Sequence, residues 1–228
     1  MEKILRGLQH FQTKVFPTNA EEFQRLAKKQ QRPIALLITC SDSRINPNLV
    51  TQTDPGDLFL LRNAGNIIPP FGTSTGGEAA TVDYAVSVLG IKHIIVCGHS
   101  HCGAMQALLR SKQEKLSSAV SNWFQNAEST RRIIEEKFAD LEGDELHERA
   151  AEQNVLVQLA NLQTHPSVAA ALATGAMALH GWYYRIETGE TRYYSPTARR
   201  FLSLVDNQPE DIVSDISHLS LNLSGKGG

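Results

Sequence analysis

The sequence of 228 residues lacks an apolar run of about 18 residues, the length that a membrane-spanning helix requires. It also lacks a block of basic residues, and its formal net charge of −2 argues against a surface that binds phosphate backbones. The first residues hold no long apolar block of a signal peptide, so the cytoplasm is the expected location. These absences predict no membrane partner and no nucleic-acid partner.

Cysteine is scarce, and Cys40, Cys97 and Cys102 are the only three. In a chain expected in the cytoplasm, a small odd number favours thiols or metal ligands over a disulfide framework. The hydrophobic content of 41% and the charged content of 20% are ordinary for a soluble globular protein.

Short apolar runs bounded by polar residues indicate buried strands of a parallel sheet. Such runs cover residues 34–38, 58–61 and 94–96, and helical patterns alternate with them. The fold class is therefore predicted to be α/β, with a central, mainly parallel β-sheet flanked by helices. A turn at Thr188 and Gly189 predicts a hairpin that extends one edge of this sheet.

The two ends of the chain have separate patterns. Ile4, Leu5, Leu8 and Phe11 predict an amphipathic N-terminal helix, which either covers the chain's own surface or packs on a dimer partner. In the second half, the pattern predicts helices around 120–138 and 146–162. The chain has no aromatic residue from 206 onward, so we expect one domain over 1–205 and a flexible tail over 206–228.

Metal-binding residue types follow two of the predicted strands. Cys40 comes just after the first strand, and His99 and Cys102 follow the strand at 94–96. Because ligands gather at the carboxyl ends of parallel strands, these three side chains are expected to meet. Two thiolates and one imidazole are a donor set that zinc selects, with a fourth position left for water or a neighbouring side chain. Cys97 lies inside its strand, so core packing is its expected role.

Asp42 and Arg44 alternate with serines directly after Cys40. One interpretation is a solvated ion pair on a loop, which contributes little to stability. The other places Asp42 beside the metal, with Arg44 holding the carboxylate ionised and oriented. Asp42 then either accepts a hydrogen bond from zinc-bound water or becomes the fourth metal ligand.

At these residues the sequence resembles the β-class carbonic anhydrases, in particular bacterial and cyanobacterial members. The resemblance covers roughly residues 1–205, and the paired zinc segments are its most specific part. The segments that carry it are Cys40-Ser41-Asp42-Ser43-Arg44, Pro55-Gly56-Asp57-Leu58-Phe59, Arg62-Asn63-Ala64-Gly65-Asn66 and Gly98-His99-Ser100-His101-Cys102-Gly103.

The resemblance implies a zinc lyase (carbonate dehydratase) that hydrates CO2 reversibly to bicarbonate and a proton by means of zinc-bound hydroxide. Asp42 and Arg44 then form the catalytic dyad beside Zn²⁺. The implied substrate-pocket residues are Gln31, Phe59, Tyr84 and Gly103. Gln31 reaches the site from a neighbouring subunit in the family, which implies a homodimer, or a tetramer or larger assembly.

One position departs from the family pattern. Some bacterial members have a regulatory bicarbonate site built from a tryptophan, an arginine and a tyrosine. This chain has Leu37 at the position of the tryptophan, whereas Arg62 and Tyr184 match the other two residues. We therefore expect the plant-like subtype, in which Arg44 holds Asp42. Two alternative functions stay open: a hydrolase of carbonyl sulfide or carbon disulfide, and a scaffold variant associated with a carboxysome, which would also change the expected location.

Overall fold

The computed structural model describes residues 1–73, 76–110 and 116–221. The chain divides into two units, Met1–Arg32 and one that begins at Pro33. None of the helices in the described ranges combines the length and the apolarity that crossing a lipid bilayer requires.

The first unit is helical, as the N-terminal pattern predicts. Its segments are α1 (Glu2–His10), a π-helical turn (Phe11–Val15), α2 (Phe16–Thr18) and α3 (Ala20–Lys28). Phe11, Phe16 and Phe23 contact one another, with ring centroids 5.5 to 6.2 Å apart. Ile4, Leu5 and Leu8 form an exposed apolar stripe on α1, and Ile4 is 60% exposed. Packing of this stripe on a dimer partner stays a prediction.

The second unit contains a six-stranded sheet in the order β2-β1-β3-β4-β5-β6. Its strands are β1 (Ala35–Cys40), β2 (Leu58–Asn63), β3 (His93–His99), β4 (Ala178–Tyr184), β5 (Thr191–Ser195) and β6 (Arg200–Ser203). The strands β1 to β4 pair in parallel, whereas β5 and β6 are antiparallel. The predicted α/β class and the predicted edge hairpin are confirmed, and β6 is an additional strand.

Helices surround this sheet. They are α4 (Pro47–Thr51), α5 (Gly77–Asp83), α6 (Gly103–Arg110), α7 (Ser118–Phe124), α8 (Glu128–Lys137), α9 (Gly143–Gln163), α10 (Pro166–Ala173) and α11 (Pro209–Leu221). The single helix predicted around 120–138 is instead two helices separated by a 3₁₀ turn at Gln125–Ala127. The Asn126 amide donates to the carbonyl of Trp123, a local bond that competes with a continuous helix.

The two faces of the sheet are both buried, as parallel strands require. On one face Leu36, Ile38 and Val96 are fully buried in a core cluster that also includes residues of α5, α9 and α10. On the other face Leu37 and Cys97 lie in a smaller apolar cluster. Each fully buried aliphatic side chain contributes roughly 1.5–3 kcal/mol to the free energy of unfolding. This burial holds the strands together, and with them the ends of the strands.

Helix α9 approaches the sheet closely because two strand positions are glycine. A Cβ added at Gly98 would lie 2.9 Å from Val155 Cγ2, and one added at Gly181 would lie 3.0 Å from Val155 Cγ1. Both distances are shorter than ordinary carbon contacts, so any larger residue would push the helix away. The close contact directly supports the end of β3.

The end of the described chain differs from the expected flexible tail. Residues 209–221 form α11, whose Ile212 and Ile216 are buried against Tyr193 of β5. Their spacing of four residues places both on one helix face, which gives the segment an apolar anchor without any aromatic residue. The domain boundary proposed at residue 205 stays a prediction, and residues 222–228 lie outside the described part.

Candidate metal centre

Cys40, His99 and Cys102 meet at the carboxyl edge of the sheet. Cys40 ends β1 and His99 ends β3, and these strands are neighbours in parallel register. Cys102 follows three residues later, directly before α6. Their ligand atoms all lie within 4.8 Å of one another, and all three residues are buried. The topology thus brings together residues that are 59 positions apart in the chain.

The histidine in this cluster has one nitrogen bound and one nitrogen without a protein partner. His99 Nδ1 lies 2.8 Å from the carbonyl oxygen of Ser100, a contact that assigns the ring proton to Nδ1. The opposite nitrogen, Nε2, is buried and has no hydrogen-bond partner. A buried nitrogen in this state is costly, and a metal ion beside the two sulfurs would satisfy it. The residues present therefore fit a metal of the zinc type.

The two thiols of the cluster shift each other's pKa in opposite directions. The hydrogen bond from Cys102 lowers the pKa of Cys40, and backbone amides also donate to its sulfur, including Gly65 N–H at 3.4 Å. The same thiol–thiolate bond, together with burial, raises the pKa of Cys102. One proton is thus retained between two sulfurs, and a cation that replaces it can hold both as thiolates.

Cys97 has a different environment, as its position inside the strand predicts. Its side chain is buried among apolar residues, and burial raises the pKa of the Cys97 thiol to about 12. The hydroxyl of Thr39 donates to its backbone carbonyl at 3.1 Å. The core-packing role expected for Cys97 is confirmed.

Asp42 and Arg44 form a two-pronged ion pair. Arg44 Nε lies 2.9 Å from Asp42 Oδ1 and Nη2 lies 2.7 Å from Oδ2. The backbone N–H of Arg44 adds a third donor at 3.0 Å. These hydrogen bonds hold the pKa of Asp42 well below its usual range. The carboxylate is therefore ionised and fixed in orientation next to the metal-binding segment.

The family resemblance connects Arg62 with the regulatory bicarbonate site, yet in the structure this residue fixes the loop after Cys40. Its Nε donates to the carbonyl of Cys40 at 3.1 Å, and its Nη2 donates to the carbonyl of Asp42 at 2.9 Å. Arg44 similarly donates to the carbonyl of His101, which ties the two metal-binding segments together. Nothing in the spacing of these residues signals the contacts, because they depend on how the strands pair.

A second contact missed by sequence reasoning holds the segment after His99. The hydroxyl of Ser100 donates to Glu187 Oε2 at 2.6 Å and accepts the N–H of Ile186 at 2.9 Å. His101, which follows, has a φ of 52°, a conformation that is uncommon outside glycine. Ser100 thus anchors the same peptide unit whose carbonyl orients the His99 ring.

The expected substrate-pocket residues are not brought together as a group. Phe59 and Tyr84 stack with ring centroids 6.1 Å apart, but Phe59 pairs with Leu36, four residues before Cys40. At about 3.3 Å per residue, Phe59 lies roughly 13 Å along the strand from the level of Cys40. Gly103 begins α6 and borders open space, since an added Cβ would meet nothing within 4 Å.

Gln31 belongs to the first unit of the chain, just beyond α3, and is exposed there. Its expected position in a substrate pocket, and the roles expected for Phe59, Tyr84 and Gly103, stay predictions.

A buried Cys₂His cluster at the carboxyl edge of a parallel sheet defines a candidate metalloenzyme of the α/β class. The family model described as "Carbonic anhydrase" matches residues 35–191. The chain belongs to the carbonic anhydrase family, and the resemblance to its β class is confirmed.

Individual relatives agree with this assignment. The chain is 46% identical over 199 residues to a carbonic anhydrase of Synechococcus elongatus, covering 87% of this chain and 73% of the relative. A solved structure of the β-carbonic anhydrase CcaA is 48% identical, with a TM-score of 0.85 over 89% of this chain and 91% of the other. A structure from a study of two tetrameric β-carbonic anhydrases of Sordaria macrospora is 28% identical, with a TM-score of 0.75 over 84% and 95% of the two chains.

Proposed function

We propose that this chain is a zinc-dependent β-class carbonic anhydrase that hydrates CO2 reversibly to bicarbonate and a proton. Cys40, His99 and Cys102 would hold the zinc ion. The observation that carries the proposal is the buried Nε2 of His99, which has no hydrogen-bond partner, in a cluster of three residues whose ligand atoms lie within 4.8 Å of one another. A buried ring nitrogen without a hydrogen-bond partner is costly, and a metal ion held with the two sulfurs would remove that cost.

When bound, zinc supplies a Lewis acid that lowers the pKa of water and so makes a nucleophile available at neutral pH. The chain's own residues prepare the position. Ser100 keeps the ring proton of His99 on Nδ1, which leaves Nε2 free to ligate. The amides that donate to Cys40 stabilise its thiolate, so less of the metal's affinity is spent on deprotonating the ligands.

Asp42 and Arg44 are proposed to act on the water that reacts. Arg44 leaves the Asp42 carboxylate charged, and a charged carboxylate accepts a proton or a hydrogen bond but cannot donate one. Asp42 therefore selects a water whose lone pair faces CO2. Because the ion pair occupies both carboxylate oxygens, it also opposes movement of Asp42 onto the metal.

The same arrangement supports the proposed plant-like subtype. Leu37, at the position of the family's regulatory tryptophan, lines an apolar cavity of about 190 Å³ with Trp182 and Tyr184. Such a lining does not favour an anion. Arg62, which the family resemblance would direct to that anion, already donates to two backbone carbonyls.

The substrate wall is proposed to require a second subunit. Gln31 and Gly103 would hydrogen-bond the oxygen that gains charge, and Phe59 with Tyr84 would form an apolar wall for CO2. Because Phe59 lies roughly 13 Å along the strand from the level of Cys40, one chain does not place this wall at its own metal site. A homodimer in which each copy completes the other's site satisfies this requirement, and a tetramer would repeat it.

This sharing of residues can be tested by complementation. Chains carrying Cys40→Ser and chains carrying Phe59→Ala should be inactive or weakly active as separate oligomers. Mixed oligomers should regain activity, because one complete site forms per pair. If mixing restores no CO2 hydration, each chain builds its site alone.

A cytoplasmic location stays a prediction.

The metal assignment is tested by comparing Cys40→Ser with Cys97→Ser. Zinc content and stopped-flow CO2 hydration are measured on both proteins. We expect Cys40→Ser to lose zinc and activity, since a hydroxyl is a poor replacement for a thiolate ligand. The matched control Cys97→Ser should retain both, because that thiol lies outside the cluster. A fully active, zinc-loaded Cys40→Ser protein would refute the assignment.

A further inference from the structure

A basic pocket lies where α8, α9 and the β5–β6 hairpin meet, and its lining shares no residue with the metal cluster. It has a volume of about 170 Å³. Its polar and aromatic lining includes Lys137, Arg149, Arg199, Arg200, Tyr194 and Phe201. Glu152 is the acid that lines it, so positive charge is in excess.

The charge of this acid is already compensated. Glu152 Oε2 lies 2.6 Å from Arg149 Nη1, and Glu152 Oε1 lies 3.0 Å from Arg192 Nη1. By contrast, within the described ranges no acidic group lies within ion-pair distance of Lys137, Arg199 or Arg200. Lys137, Arg199 and Arg200 thus line the pocket without an acidic partner in the described part of the chain, and Glu152 in the same lining is paired with Arg149 and Arg192.

Backbone geometry gives an independent reason to assign a role to Arg199. Its φ of 54° is left-handed, a conformation in which glycine or asparagine is easier to accommodate. The residue sits in the turn between β5 and β6, where a glycine would close the hairpin with less strain. An arginine that keeps an unfavourable backbone conformation at the mouth of a basic pocket indicates that its side chain is used.

The floor of the basic pocket is aromatic. Tyr194 and Phe201 are paired across β5 and β6, with ring centroids 5.5 Å apart. Lys137 Nζ lies 5.6 Å from the centroid of the Phe138 ring, so the ammonium group is held beside the pocket by a cation–π contact. Charged donors therefore surround an apolar surface large enough for a ring or a short carbon chain.

We propose that the basic pocket binds a small phosphate monoester. The phosphate would lie among Arg199, Arg200 and Lys137, because guanidinium groups bind phosphate oxygens in pairs and three cations match a dianion. The organic part would lie against Tyr194 and Phe201. This site is separate from the metal centre and does not depend on the proposed function.

The pocket also has a direct connection to the metal centre. Arg149 and Glu152 belong to α9, whose Ala151 and Val155 contact Gly98 beside His99. A ligand bound in the pocket would therefore contact α9, the helix that supports the end of β3.

Isothermal titration calorimetry on the zinc-loaded, full-length protein tests the proposal with phenyl phosphate as the probe. We expect phenyl phosphate to bind several-fold more tightly than inorganic phosphate because of the aromatic floor, and phenol to give no measurable binding. Added NaCl should weaken the binding, as expected for charged partners. Absence of phenyl phosphate binding would overturn the proposal.

Two variants localise the binding. Arg200→Gln should raise the dissociation constant at least about tenfold, the cost of one charge-assisted contact. Arg199→Gly should also weaken binding, yet it should raise the unfolding temperature because it relieves the left-handed arginine. The two opposite effects separate loss of a ligand contact from damage to the fold.

Lys92→Gln is the matched control, since it removes one exposed positive charge at the start of β3, outside the pocket lining. Its affinity should stay within about twofold of the unmodified protein. Binding that is equally strong in Arg200→Gln and Lys92→Gln would place the anion elsewhere, the metal centre included, and would refute the pocket as its site.

Discussion

Replacing Gly98 by alanine should loosen the metal centre without touching a metal ligand. A Cβ at this position would lie 2.9 Å from Val155 Cγ2 and 3.1 Å from the carbonyl oxygen of Ala151. Neither group yields easily, because Val155 is fully buried and branched at Cβ, and the oxygen belongs to the backbone of α9. The added methyl group must therefore displace either α9 or the end of β3, where His99 follows directly.

Overpacking of this kind typically costs about 1–3 kcal/mol of unfolding free energy. For a chain of this size each kcal/mol lowers the unfolding temperature by roughly 2–4 °C. We expect Gly98→Ala to lower the unfolding temperature accordingly in a calorimetric scan. Its zinc should also pass faster to a chromophoric chelator, since a displaced strand end moves the His99 ring.

Two further variants test the cause. Gly77→Ala is the matched control, because an added Cβ there meets nothing within 4 Å, and it should leave both measurements nearly unchanged. Adding Val155→Ala to Gly98→Ala removes the clashing methyl group, so the double variant should lose less than the sum of the two single losses. If Gly98→Ala unfolds and releases zinc like the unmodified protein, or if the two losses simply add, the close approach of α9 is not what supports the site.

Three other perturbations have defined outcomes. Ser100→Ala should release zinc faster with little change in the unfolding temperature of the metal-free protein, because it frees the peptide unit that orients His99. Removal of zinc by dialysis against a chelator should expose a reactive thiol that a disulfide reagent labels at Cys40 but not at Cys97, whose pKa burial raises to about 12. Burial and the nearby His93 lower the pKa of His180 from 6.5 to about 4, so the stability due to its neutral form is complete above pH 6.5 and is lost as pH falls toward 4. Denaturant titrations should show a slope of up to about 1.4 kcal/mol per pH unit in this window that His180→Gln removes, and an unchanged slope would contradict the assignment.

The metal cluster could be predicted from sequence because only two facts were needed. Cys40 and His99 each end a run that is apolar enough to mark a buried strand, and parallel strands present their carboxyl ends at one edge. The ligand types then specify the metal class. No knowledge of helix packing enters this inference, so the long separation between the two segments does not weaken it.

The contacts that orient the cluster could not be predicted in this way. Arg62 reaches Cys40 from 22 residues away, and Ser100 reaches Glu187 across 87 residues. Each contact depends on side-chain directions at the ends of paired strands, which hydrophobic periodicity does not encode. The family resemblance includes Arg62 in a matching segment but gives no reason for its geometry.

Two elements near the end of the chain, β6 and α11, were not predicted for a different reason. Strand β6 has no buried residue, so its four positions carry too little apolar signal to be recognised. In the part of α11 whose side chains the structure describes, Ile212 and Ile216 make the buried contacts, whereas Val213 between them is 63% exposed. This apolar pattern is too short to distinguish a helix from a solvated tail. In both elements the neighbour in space, rather than the local sequence, decides the structure.

We expect three parts of the molecule to contribute separately to catalysis, and different variants can distinguish them. The sheet sets the positions of Cys40 and His99, so changes in packing such as Gly98→Ala should alter zinc retention. Asp42 and Arg44 are proposed to control the charge beside the water, so variants of this pair should alter the rate while zinc remains bound. The wall that includes Phe59 is proposed to depend on assembly, so its variants and variants of the metal ligands should restore each other's activity in mixed oligomers. A metalloenzyme whose entire site folded within one subunit would not show this third behaviour, and this makes complementation the most direct test of how the site is built.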